Sequence, residues 1–182
     1  MLVSTKHCTY MLDTVIPLQN DYALIDDVKF KPAWALSRNT TWWDAEYAWL
    51  DVDTELTESQ WKQYAGSQVT WWTRHMLTRY TQGGIWDWHS DQHTFNISRD
   101  YSDNHAVRTV IAVLQGRVKL QRINSVAELD QKTMLAFKSS DQYKLTAVPN
   151  TVCLCVWGMR PYKQHPKPKP VAKYKKRNRR EI

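Results

Sequence analysis

At 182 residues, with 42% apolar side chains and ten tryptophans, the chain has the length and composition of one folded domain, or one domain with a tail, and not of a disordered polymer. No run of about 18 apolar residues occurs, which excludes a membrane-spanning helix, and the opening MLVSTKHCTYMLDTVIPL lacks the basic start and long apolar core of a signal peptide. The formal charge of +7 is held unevenly: residues 162–182 carry nine basic side chains against Glu181 alone, which leaves 16 basic and 17 acidic residues in the body and no charge signal for a nucleic-acid face there.

Residues 8–30 read as strand-rich, with apolar runs at Thr9–Leu12 and Tyr22–Ile25 around the polar Gln19, Asn20 and Asp21. Residues 31–56 mix Trp34, Trp42, Trp43, Tyr47 and Trp49 with Asp44, Glu46, Asp51, Asp53 and Glu55. That mixture predicts an acidic loop or short helix over the body, either as an aromatic-anchored cover or as a docking site for a basic partner. Thr57-Glu-Ser-Gln60 has the form of a capping box, so a helix is expected from Glu58 toward Trp71, with Trp61, Tyr64 and Val69 inward and Gly66 interrupting it.

From His75 onward the pattern changes to short β-branched and aromatic runs between turns. These are His75–Tyr80, Ile85–His89, Thr109–Leu114, Val118–Arg122, Met134–Phe137, Tyr143–Val148 and Thr151–Trp157. Seven such strands at this spacing predict a sandwich or jelly roll. Trp86 and Trp88 are expected on opposite sides of the sheet, one of them in the core. Cys8, Cys153 and Cys155 make no disulfide framework, and Cys153 and Cys155 read as small core residues on one strand face. A reducing, cytoplasmic setting follows as the expectation, and the sequons at Asn39 and Asn96 then carry no meaning.

After Trp157 the composition breaks. Pro161, Pro166, Pro168 and Pro170 alternate with lysines as an extended spacer before the cluster Lys173, Lys175, Lys176, Arg177, Arg179 and Arg180. Such a tail is read as a solvated disordered segment, as a binder of nucleic-acid phosphates, or as a dock for an acidic protein surface.

The chemistry-bearing stretch is Arg79 to Asp91, which holds a His-x-Asp pair, His89 and Asp91, at the end of a strand. An imidazole and a carboxylate so spaced supply two of the three ligands of the two-His-one-carboxylate face of non-haem iron sites. Taken alone, His89 reads first as a hydrogen-bonded rim histidine, and only the surrounding segments bring the metal reading level with it. Four segments extend the pattern: Arg79-Tyr80-x-x-Gly83 leading to Trp88-His89-x-Asp91, then Arg108–Leu114, then Phe137-Lys-Ser-Ser140, then Val148–Trp157. In order and spacing they resemble the 2-oxoglutarate- and iron(II)-dependent oxygenases, nearest the prolyl-hydroxylase-like branch, over less than half of the chain.

The resemblance implies a mainly β fold, a double-stranded β-helix (a cupin-like jelly roll). It would have an N-terminal α/β cover over residues 1–74, a barrel core over 75–161 and a basic tail over 162–182. It further implies His89 and Asp91 as ligands of Fe(II), with Tyr80 near the 2-oxoglutarate. The chain departs from the family at three places, one of them the stretch Gln115-Gly-Arg-Val-Lys-Leu120, which lacks the family's Gly-Gly-Glu-Leu-like segment. Tyr143 stands where the distal histidine is expected, with no histidine between His105 and His165. Val152 stands where an arginine should meet the far carboxylate of 2-oxoglutarate. Candidate replacements are His93 as third ligand, Tyr143 as an anionic ligand and Lys119 as the cation. His93 requires a bend, since positions i and i+4 on a regular strand lie about 13 Å apart. The expected function is therefore a diverged oxygenase-fold protein of weakened or lost catalysis that binds or assembles, for instance in a viral particle or nucleoprotein complex. An active hydroxylase of a protein or nucleic-acid substrate is the alternative, and an unrelated jelly roll a third reading.

Overall fold

The protein is represented by a computed structural model that describes residues 12–18, 28–33, 42–50, 61–92 and 104–162. In chain order the strands are β1 (Ile16–Pro17), β2 (Lys31–Pro32), β3 (Trp42–Trp43), β4 (Glu46–Leu50), β5 (Trp71–Trp72), β6 (His75–Tyr80) and β7 (Gly84–His89). They continue as β8 (Asn104–Gln115), β9 (Arg117–Arg122), β10 (Ser125–Asp130), β11 (Thr133–Lys138), β12 (Tyr143–Ala147) and β13 (Thr151–Pro161). A larger sheet runs β1-β11-β8-β13-β6-β4-β2, with β5 also on β13, and a smaller one runs β10-β9-β12-β7-β3. All the pairings are antiparallel, and sequence neighbours repeatedly land in opposite sheets, as in the expected double-stranded β-helix.

Side-chain periodicity explains the layers. In β9, Val118 and Leu120 are fully buried while Arg117, Lys119 and Gln121 are exposed, the alternation of a strand with one wet face. Strands β8 and β13 are buried on both faces and so read as continuous apolar runs. Ile111, Val113, Cys153, Cys155 and Trp157 point between the sheets, and Val110, Ala112, Leu154 and Val156 point outward into a second cluster. That outer cluster is closed by Trp61, Tyr64 and Trp72, with Leu12, Ile16, Leu18, Val28 and Phe30 packed around it. An N-terminal cover therefore exists, with residues 61–65 helical and Trp61 and Tyr64 turned inward as expected. The helix stops at Gly66, whose φ of 59° is the left-handed conformation that ends helices at low steric cost, and a 3-10 turn over Gly66–Gln68 follows.

Several expectations need correction. Within residues 31–56, the described part is strand and belongs to the sheets: β3 pairs with β7, and β4 pairs with β6. Glu46, still partly exposed, is paired across the strands, its carboxylate accepting from the Arg79 Nε at 2.7 Å. Barrel strands thus begin before residue 75. β10 escaped notice because only Leu129 of its six residues is buried, which leaves almost no apolar rhythm to read. The runs at Thr9–Leu12 and Tyr22–Ile25, the capping box at 57–60, His93 and the basic tail beyond Tyr162 lie wholly or mostly outside the described residues. No described helix is long and apolar enough to cross a membrane.

Candidate functional site

The His-x-Asp pair owes its position to an irregularity in β7. Tyr143 of β12 pairs with His89 and Leu145 with Trp86, so three residues of β7 span what two of β12 span. The additional residue is a β-bulge, which re-aims every side chain after it. In a regular strand Trp86 and Trp88 would share a face. Here Trp86 is buried, Trp88 is 45% exposed, and His89 returns to the inward side. The expected split of the two tryptophans is present, and the bulge is its cause. His89 stacks on Trp86 at 4.2 Å and 15°, and Trp86 stacks on Trp42 at 4.3 Å and 12°.

Asp91 follows where the chain turns across the end of the barrel. Its own N–H and that of Gln92 both donate to the Ser139 carbonyl at 3.0 Å. The side chain is fully buried, and its Oδ2 accepts three hydrogen bonds, from Trp157 Nε1 at 2.8 Å, Thr109 Oγ1 at 2.8 Å and Tyr143 OH at 3.0 Å. Thr109 also meets Ser139 Oγ at 2.9 Å, so strands β8, β12 and β13 all converge on one carboxylate oxygen. Burial pushes the Asp91 carboxyl up, but His89, Trp157 and Thr109 outweigh it and hold the group below its usual range. Asp91 is therefore an anion in the interior.

The other half of the pair is less satisfied. His89 Nδ1 lies 2.6 Å from the Asp87 carbonyl, which can only accept, so Nδ1 carries a proton. His89 Nε2 then faces Asp91 Oδ1 at 3.3 Å, and neither buried atom has a hydrogen-bond partner. With Nε2 bare the two lone pairs repel, whereas a proton on Nε2 gives the attraction by which His89 holds the Asp91 carboxyl down. Either that proton or a cation between the atoms relieves the repulsion, and 3.3 Å is within the span that two metal bonds of about 2 Å allow.

The third ligand is not found among the described residues, where no group of three or more His, Cys, Asp or Glu is placed to hold a metal. Tyr143 does stand opposite His89 in register, yet its hydroxyl donates to Asp91. Burial, reinforced by the Asp91 charge, drives its ionisation well above the ordinary phenol value, so the reading of Tyr143 as an anionic ligand is corrected to a neutral donor. The reading of Lys119 as an inward cation is corrected as well. It lies on the exposed face of β9, between the buried Val118 and Leu120. Near Val152, the inward positions are Cys153 and Cys155; burial pushes the Cys153 thiol up to about 12 and Cys155 well above its normal value, so both stay neutral. Tyr80 is buried in the same interior, accepts the Trp42 Nε1 at 3.1 Å and, raised by burial, is neutral too. The rings of Trp42, Trp86, His89, Tyr143 and Phe137 fill the interior as a continuous aromatic column, and Arg122, on the same face of β9 as Val118 and Leu120, closes its end with the guanidinium 5.7 Å from the Phe137 ring and engaged by Asp13 and Asp141. The described residues therefore do not complete the three-ligand face of iron, and Arg122, the cation beside the column, already has carboxylate partners of its own.

Sequence reasoning missed the donors to Asp91 as a group. Thr109 opens an otherwise apolar run, and Trp157 closes one. A polar or N–H-bearing side chain at a strand end was the available signal.

No family profile matches the sequence, and no curated protein does. By structure, 238 solved chains match. A prolyl-4-hydroxylase of Pseudomonas putida superposes with a TM-score of 0.53 at 11% identity, over 74% of this chain and 79% of that one. The fold is a cupin-like double-stranded β-helix. KdgF of Halomonas (TM-score 0.47, 7% identity, 77% of this chain and 94% of that one) also matches. So does a Trichoplax adhaerens prolyl hydroxylase in complex with a hypoxia inducible factor fragment (TM-score 0.47, 18% identity, 63% and 62%). At such identities the likeness concerns the double-stranded β-helix and not its chemistry.

Proposed function

We propose that this chain is a diverged oxygenase-fold protein that binds or assembles instead of catalysing, and that Asp91 now serves as an internal hydrogen-bond hub. The observation that carries this reading is the Asp91 Oδ2, saturated by Trp157, Thr109 and Tyr143, with Tyr143 in the register position opposite His89. Three neutral donors on a buried carboxylate lock three strands together. The ring-filled interior, where Asp91 is an anion and the Arg122 guanidinium at its end is already paired with Asp13 and Asp141, supports the same reading, since a cosubstrate dicarboxylate needs an unengaged cation there. The working contacts would then be outside the barrel, including the tail cations Lys173, Lys175, Lys176, Arg177, Arg179 and Arg180, toward nucleic acid or an acidic protein surface in a cytoplasmic or particle-borne assembly.

A second reading has its own observation. The orphaned His89 Nε2 and Asp91 Oδ1 are a ready seat for part of a metal's coordination shell. An active Fe(II)- and 2-oxoglutarate-dependent hydroxylase would need its third ligand from outside the described residues, such as His93. Anaerobic Fe(II) loading followed by oxygen and 2-oxoglutarate separates the two. The expected outcome is no succinate above a His89→Ala control; succinate formation that disappears with His89→Ala would overturn the binding-protein reading.

A further inference from the structure

Three adjacent strands of the larger sheet, β11, β8 and β13, end at the side of the barrel that carries Asp91. Their registers put Arg108 opposite both Lys138 and Gly158, and His105 opposite Arg160. Arg108 and Lys138 leave the sheet on its outer face, since their neighbours Thr109 and Phe137 point inward. Arg108, Lys138 and Arg160 line one cavity of about 230 Å³ together with His105, Ser140 and Gln92, and no carboxylate is among the lining residues.

Arg108 is the unusual member. It is only 8% exposed, its Nη1 donates to the Val107 carbonyl at 2.9 Å, and its Nε is buried without a hydrogen-bond partner. A guanidinium in that state is costly unless an anion completes it. Burial disfavours its charge while Asp13 and Asp141 favour it, but both carboxylates are already engaged by Arg122. Neither Lys138 nor Arg160 forms an ion pair with a described residue. The local balance among the lining side chains is thus cationic.

We propose that this cavity binds a phosphate-type oxyanion, held by Arg108, Lys138 and Arg160. The volume is below the roughly 300 Å³ at which drug-sized ligands begin, so it suits one tetrahedral anion or the phosphate end of a larger molecule. The planar fork of Arg108 matches two phosphate oxygens, and the flexible Lys138 supplies a point charge. The site shares no residue with the His89–Asp91 pair and holds under either reading of the barrel interior. The phosphate could be free or part of a nucleic-acid backbone.

Titration calorimetry on the full chain at low ionic strength, with inorganic phosphate as the probe, tests the assignment. The expected result is saturable binding that weakens about tenfold or more in Lys138→Ala/Arg160→Ala, as the loss of charge-assisted hydrogen bonds requires. Lys138 is exposed and Arg160 half-buried near the end of β13, so the double variant should keep an unfolding midpoint close to that of the wild type. Arg108→Gln is the second, more severe variant. Absent binding, or equal affinity in wild type and the double variant, would overturn the proposal, the latter by assigning phosphate to the tail lysines. Displacement of bound phosphate by a single-stranded oligonucleotide identifies a backbone phosphate as the ligand, and retention identifies a free phosphate or phosphomonoester. Either of these last results upholds the site.

Discussion

His75 stands at the start of β6, where the larger sheet meets the helical cover, and its Nε2 accepts the Trp61 indole N–H at 3.0 Å. Only a neutral imidazole can accept there. Burial lowers the His75 pKa from 6.5 to about 4, so the folded state resists a proton that the unfolded chain takes up readily. Because the unfolded state binds more protons between those values, stability is complete above about pH 6.5 and declines as pH falls toward 4. The total effect is on the order of 3 kcal/mol. Urea unfolding of wild type at pH 7 and pH 5 should show this decline, and His75→Gln, which keeps an acceptor and cannot titrate, should flatten it. An equal pH dependence in both proteins would assign the decline to other groups.

At the scale of elements, β7 carries most of what is particular to this chain. Its bulge turns His89 inward, and its first residue, Gly84, lets β3 approach closely. A Cβ at Gly84 would fall 2.5 Å from the Trp43 carbonyl oxygen and 2.7 Å from Tyr80 Cδ1. Gly84→Ala must therefore push β3 away and part the Trp42–Trp86 stack, with an expected loss of about 1–3 kcal/mol in guanidinium unfolding. A variant of unchanged midpoint would mean that β3 is free to shift. Strands β6, β7, β8, β9, β11, β12 and β13 were legible in the sequence because double-sided burial, or a strict alternation as in β9, leaves a dense β-branched and aromatic signal. β3 and β4 were not. Short strands set among acidic residues look like a loop until Arg79 is seen to neutralise Glu46 across the pair. The bulge was equally hidden, since nothing local in Ile85–His89 states how many residues its partner strand spends over the same span.

At the scale of the whole molecule, charge and fold are separable. The body is near neutral, and the basic excess follows Tyr162. Removing residues 166–182 should therefore leave the unfolding midpoint in place while abolishing the salt-sensitive component of nucleic-acid binding. With the six clustered cations engaged, the slope of log affinity against log salt should fall in magnitude by about 4 for a single strand. A filter-binding series across salt concentrations checks this, and an unchanged slope would remove the tail from that role.

The sequence by itself determined the β class, the basic composition of residues 162–182, the aromatic core and the presence of His89 and Asp91 at a strand end, because hydrophobic rhythm and residue chemistry are local properties. Only the tertiary structure decided what those two residues meet. Tyr143, Thr109 and Trp157 lie 52, 18 and 66 positions from Asp91 and reach it solely because antiparallel pairing brings β12, β8 and β13 to one end of the barrel. A carboxylate's partners set whether it is a ligand or a structural anion, and those partners are fixed by strand register, which no single stretch of this chain encodes.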